Sequence, residues 1–279
     1  MGSVVARDRL RSRLLELRRA SGLTPGAVTA RTHWSLSKLS RIEAGAVTVA
    51  PLDAQALARI YGVADQREIL ELTEMAVAAR RRHWWSGFQI EPELRDLVAY
   101  ESAADRITVF GALLVPDLVQ TEAYATAALT VACGRKPDAV GVPQSVDLIL
   151  RRQSELAARL REARPPRVQV VLDGAVLQRR IGGGRVMREQ LGRLEELAGD
   201  GRMRIVVVPL RHGVMPGPAG AFELLEFAGV TDPDVVFVDG PGRGRLLRER
   251  EETAAFHEMA GLLAESGLTG DAAIREMRR

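Results

Sequence analysis

The chain has 279 residues, of which 46% are hydrophobic and 27% are charged, an ordinary globular composition that excludes a chain disordered throughout. No apolar run approaches the roughly 18 residues needed to span a bilayer, and the single cysteine, Cys133, excludes an internal disulfide framework and a cysteine-based zinc cage. We therefore expect a cytoplasmic protein of two domains that has no membrane partner.

Basic charge is concentrated near the N-terminus. Residues 1–83 carry 14 Arg and Lys against 8 Asp and Glu, a net charge of +6, whereas residues 84–279 carry 25 against 28, a net charge of −3. A small basic unit joined to a larger, nearly neutral body is typical of a protein that meets a polyanion with one domain. We predict an N-terminal domain over residues 1–83 and a C-terminal effector and assembly domain over residues 84–279.

The first third of the chain predicts five short helices. Leucines recur at spacings of four and three in the first of them, which gives one apolar face that ends before Gly22. Thr24 and Pro25 open the second helix, because threonine caps a helix and proline suits its first position. Ser35 caps the third helix, which extends through Glu43. Two more helices follow, at about 51–61 and 66–83.

The rest of the chain predicts a mixture of helices and strands. Helices are predicted at about 96–108, 118–132, 144–163, 185–199 and 246–266. Apolar and β-branched runs predict strands at 167–172, 203–208, 222–227 and 235–239. The strand–helix–strand order indicates a parallel βαβ unit, and the last two strands suit a hairpin. The predicted fold is therefore an N-terminal all-α domain followed by a larger mixed α/β (α+β) domain.

The segment 23–45 has the pattern of a helix-turn-helix, in which the second helix lies in the major groove of DNA. Ala27 and Ala30 are small residues at the predicted crossing of the two helices. Leu39 and Ile42 are expected to hold the second helix on the core. Short polar or basic residues occupy the face that remains exposed: Ser37, Lys38, Ser40 and Arg41.

Residues 10–62 resemble the Xre/Cro-repressor family of lambda-repressor-like helix-turn-helix domains, above all in the phrase S-x-S-x-x-S-R-I-E-x-G at 35–45. The resemblance implies a recognition helix at about 35–43, with Leu36, Ser37 and Arg41 at base edges. It implies DNA contacts at seven positions: Thr24, Ser35, Leu36, Ser37, Lys38, Ser40 and Arg41. Arg18 and Glu43 match a structural ion pair of that family, which ties the first helix to the recognition helix.

Phrases of the second region resemble the WhiJ-like, antitoxin-like regulators of actinobacteria, among them YESAADRI, VPDLVQTEAYATAAL and VVFVDGPG. The resemblance implies a DNA-binding transcriptional regulator whose C-terminal domain binds a small-molecule effector, another subunit or a small protein encoded by a neighbouring gene. The alternative is an antitoxin-like interaction module that neutralises such a partner, with DNA binding secondary or autoregulatory. A single helix-turn-helix domain, called the reading head below, contacts few base pairs, so we expect a homodimer on double-stranded DNA. We expect this dimer to lie at the nucleoid in the cytoplasm.

Few residues of the second region indicate chemistry. Gln120, Glu122, Tyr124 and Arg152 are candidates for a ligand or partner pocket, although a capped helix start and a solvated helix face account for the same residues. The four histidines are not spaced as metal ligands, and no catalytic constellation is visible in the sequence. We therefore expect no metal, no cofactor and no enzymatic activity.

Overall fold

The computed structural model describes residues 3–80, 83–132, 141–213, 220–228, 234–239 and 244–278. The chain divides into two compact units, the first ending at Ser86 and the second beginning at Gly87. The sequence predicted a division between His83 and Trp84. Cys133 lies outside the described residues.

The first unit is a cluster of helices. Its described residues form five α-helices: α1 (Ser3–Ala20), α2 (Pro25–Thr32), α3 (Leu36–Glu43), α4 (Pro51–Ile60) and α5 (Gln66–Ala79). Each helix contributes apolar side chains to one core, which includes Leu10, Leu14, Val28, Leu39, Ile42, Leu57, Ile69 and Leu72. The predicted order of helices is confirmed, and the leucine face of α1 is buried as its spacing indicated.

Local signals set the start of α2 and of α3. The Thr24 hydroxyl accepts a hydrogen bond from the Ala27 amide at 3.2 Å, and the Ser35 hydroxyl accepts one from the Lys38 amide at 3.2 Å. Between the two helices, His33 has a φ of +56°, the left-handed conformation that usually favours glycine. These caps and this turn fix the direction in which α3 leaves α2.

The second unit is built on one mixed sheet. Its described residues form seven strands: β1 (Arg106–Gly111), β2 (Arg167–Asp173), β3 (Met203–Val208), β4 (Phe222–Glu226), β5 (Val235–Val238), β6 (Arg245–Leu247) and β7 (Leu268–Thr269). Their order across the sheet is β6-β5-β4-β1-β2-β3-β7. β1, β2 and β3 are parallel, whereas β4 to β7 pair antiparallel with their neighbours. The predicted βαβ unit and hairpin are both confirmed.

Helices surround this sheet. The described residues of the second unit form seven of them: α6 (Pro92–Glu101), α7 (Glu122–Ala132), α8 (Val142–Arg159), α9 (Gly174–Gln178), α10 (Gly183–Asp200), α11 (Arg250–Ser266) and α12 (Gly270–Met277). α11 contributes Ala260 and Leu263 to the apolar cluster on one face of the sheet, beside Phe222 and Leu224 of β4. Because side chains alternate along a strand, Glu223 projects from the opposite face.

One predicted helix was wrong. The expected helix at 96–108 ends at Glu101, and residues 106–111 form β1, which lies between β2 and β4 in the middle of the sheet. The run Ile107–Phe110 is β-branched and aromatic, and its pairing with strands far along the chain decides its conformation. The helices predicted at 118–132 and 246–266 begin later than expected, at Glu122 and Arg250. A 3-10 turn occupies Asp117–Val119 ahead of the first, and β6 precedes the second.

Candidate nucleic-acid interface

Helix α3 presents a polar and basic face to solvent. Leu39 and Ile42 are buried in the core, whereas Ser37, Ser40 and Arg41 are exposed. Residues three and four apart share a helix face, so these three side chains lie together. The Arg41 guanidinium makes no hydrogen bond or ion pair with any residue that the structure describes. It is therefore available to a ligand outside the protein.

Leu36 is an apolar side chain at the exposed start of α3. Its exposed fraction is 59%, although leucine is a residue type that is usually buried. It lines a groove of about 590 Å³ on the surface of the first unit. The groove is lined by Leu15, Arg18, Arg19, Pro25, Leu36, Ser40, Glu43 and Ala44. The predicted contact residues Leu36 and Ser40 thus share this groove with the exposed cation of Arg19.

Lys38 differs from the other predicted contact residues because its charge is already paired. Its Nζ lies 2.9 Å from Oδ2 of Asp53 in the first turn of α4. The same ammonium lies 3.6 Å from the centroid of the Trp34 ring, within the range of a cation–π interaction. Lys38 is thus held on two sides, although 41% of its side chain is exposed.

An ion pair joins α1 to the end of α3. Arg18 Nε lies 2.6 Å from Glu43 Oε1, Nη2 lies 3.2 Å from Oε2, and Nη1 donates to the Leu23 carbonyl at 3.0 Å. The two side chains are 14% and 21% exposed. Charge-assisted bonds of this kind contribute about 1.5–3 kcal/mol each. Burial, aided by the charge of Glu43, also raises the pKa of the adjacent Tyr61 to about 12, so the phenol stays neutral.

A second polar cluster, the Arg152 network, lies inside the other unit. Arg152 Nε lies 2.9 Å from Glu101 Oε2, Nη1 lies 3.2 Å from Asp117 Oδ2, and Nη2 lies 3.3 Å from Glu223 Oε2. The carboxylates come from α6, the 3-10 turn and β4, while the arginine comes from α8. The Asp117 side chain is 47% exposed, but those of Arg152, Glu101 and Glu223 are nearly fully buried.

The charges of the Arg152 network do not balance when every carboxyl group is ionised, because three negative charges face one guanidinium. Burial, with the nearby charge of Glu101, raises the pKa of Glu223 to about 8, and burial also raises the pKa of Glu101. Oε1 of Glu101 and Oε1 of Glu223 are buried and have no partner among the described residues. A proton held on Glu223 at neutral pH removes one of the excess charges.

The four residues predicted to line a pocket separate into two environments. Gln120, Tyr124 and Arg152 are buried, whereas Glu122 is exposed. Gln120 Nε2 donates to the Val115 carbonyl at 2.6 Å, and the Tyr124 hydroxyl accepts from the Val115 amide at 3.1 Å. The three buried residues therefore hold the chain that leads into α7, and their role in binding a ligand or partner stays a prediction.

The comparisons with known proteins assign both parts of the chain. Residues 94–279 match a family described as a domain of unknown function (DUF5753), and this span is about two thirds of the chain. The chain belongs to the DUF5753 family. Residues 9–72, ahead of the DUF5753 domain, match a family described as a helix-turn-helix domain. No curated protein and no solved structure matched the chain.

The two matches give the sites their context. The exposed face of α3 belongs to a helix-turn-helix domain, a type of domain found in DNA-binding regulators, and the Arg152 network lies inside the DUF5753 domain. Membership of the WhiJ-like, antitoxin-like group stays a prediction. None of the helices within the described ranges is long and apolar enough to cross a membrane. Among the described residues, no group of three or more His, Cys, Asp or Glu side chains is arranged to hold a metal ion.

The sequence did not identify several residues of these sites. Arg19 had a weak signal, since it follows Arg18 at the basic end of α1. Trp34 lies four residues before Lys38 but precedes the cap of α3, so the helical spacing of α3 does not extend to it. Asp53 gave no signal, because its contact with Lys38 joins two helices. The carboxylates Glu101 and Glu223 are likewise brought to Arg152 by the tertiary fold alone.

Proposed function

We propose that this DUF5753 protein is a sequence-specific transcriptional regulator whose helix α3 enters the major groove of DNA. The observation that carries the proposal is the exposed face of α3, where Ser37 and Ser40 lie together with Arg41, which pairs with no residue that the structure describes. The caps at Thr24 and Ser35 hold the helix in a fixed direction. This arrangement supports base reading, because the side chains that read a base must be held in place before DNA arrives.

The residues of this face suit different parts of the duplex. A guanidinium bonds with both O6 and N7 of guanine, so we assign Arg41 to a guanine. Leu36 has no polar atom on its side chain, and we assign it to the methyl group of a thymine. Ser37 and Ser40 pair with either donors or acceptors on base edges or phosphates.

Backbone contacts fix the position of the domain on the duplex without reading sequence. We assign this role to Thr24 and Lys38, two of the seven predicted contact residues, and add Arg19, which is exposed in the groove beside Leu36. Pro25 follows the cap of α2 and has no amide hydrogen to donate to a phosphate. Each phosphate contact through a cation releases counterions, so binding should weaken as salt rises.

We propose that the DUF5753 domain controls DNA binding by the helix-turn-helix domain. We propose that it binds a partner protein or a small molecule and pairs two chains, so that two heads meet half-sites about one helical turn apart. A homodimer suits a single head that contacts few base pairs. The antitoxin-like alternative, in which neutralising a small partner is the main activity, stays a prediction, as do the absence of catalysis and the place at the nucleoid.

Arg41→Ala should reduce sequence discrimination by about 5- to 150-fold, the loss expected when one bidentate arginine–guanine contact of about 1–3 kcal/mol is removed. The measurement is a fluorescence titration of the full chain on a duplex selected from a random pool and on its scrambled counterpart. Arg59→Ala is the matched control, because Arg59 is an exposed arginine on α4 outside the predicted contact set. Equal losses on both duplexes for Arg41→Ala would remove Arg41 from base reading.

A further inference from the structure

We propose that Asp53 is a positioning residue that restrains Lys38 in the free protein and opposes its contact with DNA. This inference rests on the proposed function, because it concerns the affinity of the same reading head. Lys38 Nζ is 2.9 Å from Asp53 Oδ2 and 3.6 Å from the centroid of the Trp34 ring. The Asp53 carboxylate is therefore in direct contact with Lys38, the residue that we assign to a phosphate of the DNA backbone.

The Trp34 ring, which contacts the other side of the Lys38 ammonium, is held in place by the fold. Trp34 is partly buried and packs on the core of the helix-turn-helix unit, so its ring position is set by the fold. Asp53 lies in the first turn of α4 and is 28% exposed. The ammonium thus lies between an aromatic face and a carboxylate, both of which belong to parts of the domain outside α3.

A DNA phosphate that approaches this ammonium meets the charge of Asp53. Hydrogen-bonded oxygens lie about 3 Å from a nitrogen, so a phosphate oxygen on Nζ would lie within about 6 Å of the Asp53 carboxylate. Like charges at that separation repel each other, and a lysine that moves to the phosphate loses its pair with Asp53. Asp53 lowers DNA affinity in either case.

The effect of Asp53 should not depend on sequence. Lys38 is assigned to a phosphate, which is the same at every position of the duplex. Asp53 therefore acts on selected and scrambled duplexes alike, unlike Arg41, whose loss lowers affinity for the selected duplex more. Removing the carboxylate should leave one more cation for the backbone and steepen the salt dependence of binding.

The test is a double-mutant cycle on the full chain, with Asp53→Asn, Lys38→Gln and both together. We expect Asp53→Asn to bind both duplexes about threefold to fivefold more tightly and to steepen the slope of log affinity against log salt by up to about 0.9. Glu74→Gln on α5 makes the same charge change at an exposed position outside the predicted contacts and serves as the control. Asp53→Glu keeps the charge and should bind as the wild type does.

Lys38→Gln decides whether Asp53 acts through the lysine. In that background the gain from Asp53→Asn should fall to the level given by Glu74→Gln. A gain that persists, or an Asp53→Asn protein that binds no more tightly than the wild type while its circular dichroism is unchanged, overturns the inference. Failure of the wild type to bind any duplex at low salt would instead overturn the proposed function, and the inference with it.

Discussion

Arg152→Met should destabilise the DUF5753 domain by about 3–5 kcal/mol, the usual cost of removing one partner from a buried ion pair. The substitution keeps much of the side-chain volume but leaves Glu101 and Glu223 buried without the guanidinium that each contacts. Burial alone lowers the pKa of Arg152, and the carboxylates, Glu101 first among them, more than reverse this effect and keep it charged. Among the described residues, Arg152 is therefore the cation that the three side-chain carboxylates of the network contact.

Calorimetry of the full chain, with hydrogen exchange of peptides from β1 and β4, measures this loss. Arg151→Met is the matched control, because Arg151 is the neighbouring residue on α8 and is half-exposed beside Glu155. A surface pair of that kind contributes at most about 1 kcal/mol. Adding Glu101→Gln and Glu223→Gln to Arg152→Met should recover part of the stability, since no buried charge then lacks a partner. An Arg152→Met protein as stable as the Arg151→Met protein would contradict this account.

Glu223→Gln should remove a pH dependence from the stability of the same domain. Burial raises the pKa of Glu223 to about 8 in the folded chain, from an ordinary value of 4.5. Between these two values the folded state binds one proton more than the unfolded state does. The free energy of unfolding of the wild type should therefore fall as pH rises through this window, by up to about 1.4 kcal/mol per pH unit.

Glutamine is the neutral mimic of the protonated carboxyl group, and its amide supplies a donor where the acid supplies its proton. We expect the Glu223→Gln chain to be more stable than the wild type at pH 8 and close to it at pH 5. The measurement is a set of urea unfolding curves at unit steps of pH from 5 to 8. Parallel stability profiles for the wild type and Glu223→Gln would show that Glu223 is ionised throughout and that its proton plays no part.

Local features of the fold were predicted where neighbouring residues determine them. Thr24 and Ser35 cap their helices through amides three residues ahead, a relation that the sequence displays directly. The helix predicted at 96–108 failed because the short apolar run 107–110 suits either a helix or a buried strand. Its central place in the sheet depends on β2 and β4, which lie far along the chain.

The candidate sites show the same division. The spacing of Ser37, Ser40 and Arg41 predicts that they share one exposed face of α3, and all three side chains are exposed in the structure. The pair of Lys38 with Asp53 and the carboxylates around Arg152 join elements that only the tertiary fold brings together. Periodicity describes one element at a time, so contacts between elements lie beyond its reach.

The central claim is that α3 reads base edges in the major groove, and a methylation-interference experiment tests it most directly. Dimethyl sulfate methylates guanine at N7, which faces the major groove, and adenine at N3, which faces the minor groove. For the wild-type chain on its selected duplex, we predict that N7 methylation of specific guanines blocks binding, and that Arg41→Ala loses this sensitivity at one of them. Binding that ignores every N7 methyl group but is blocked by N3 methyl groups would contradict the account.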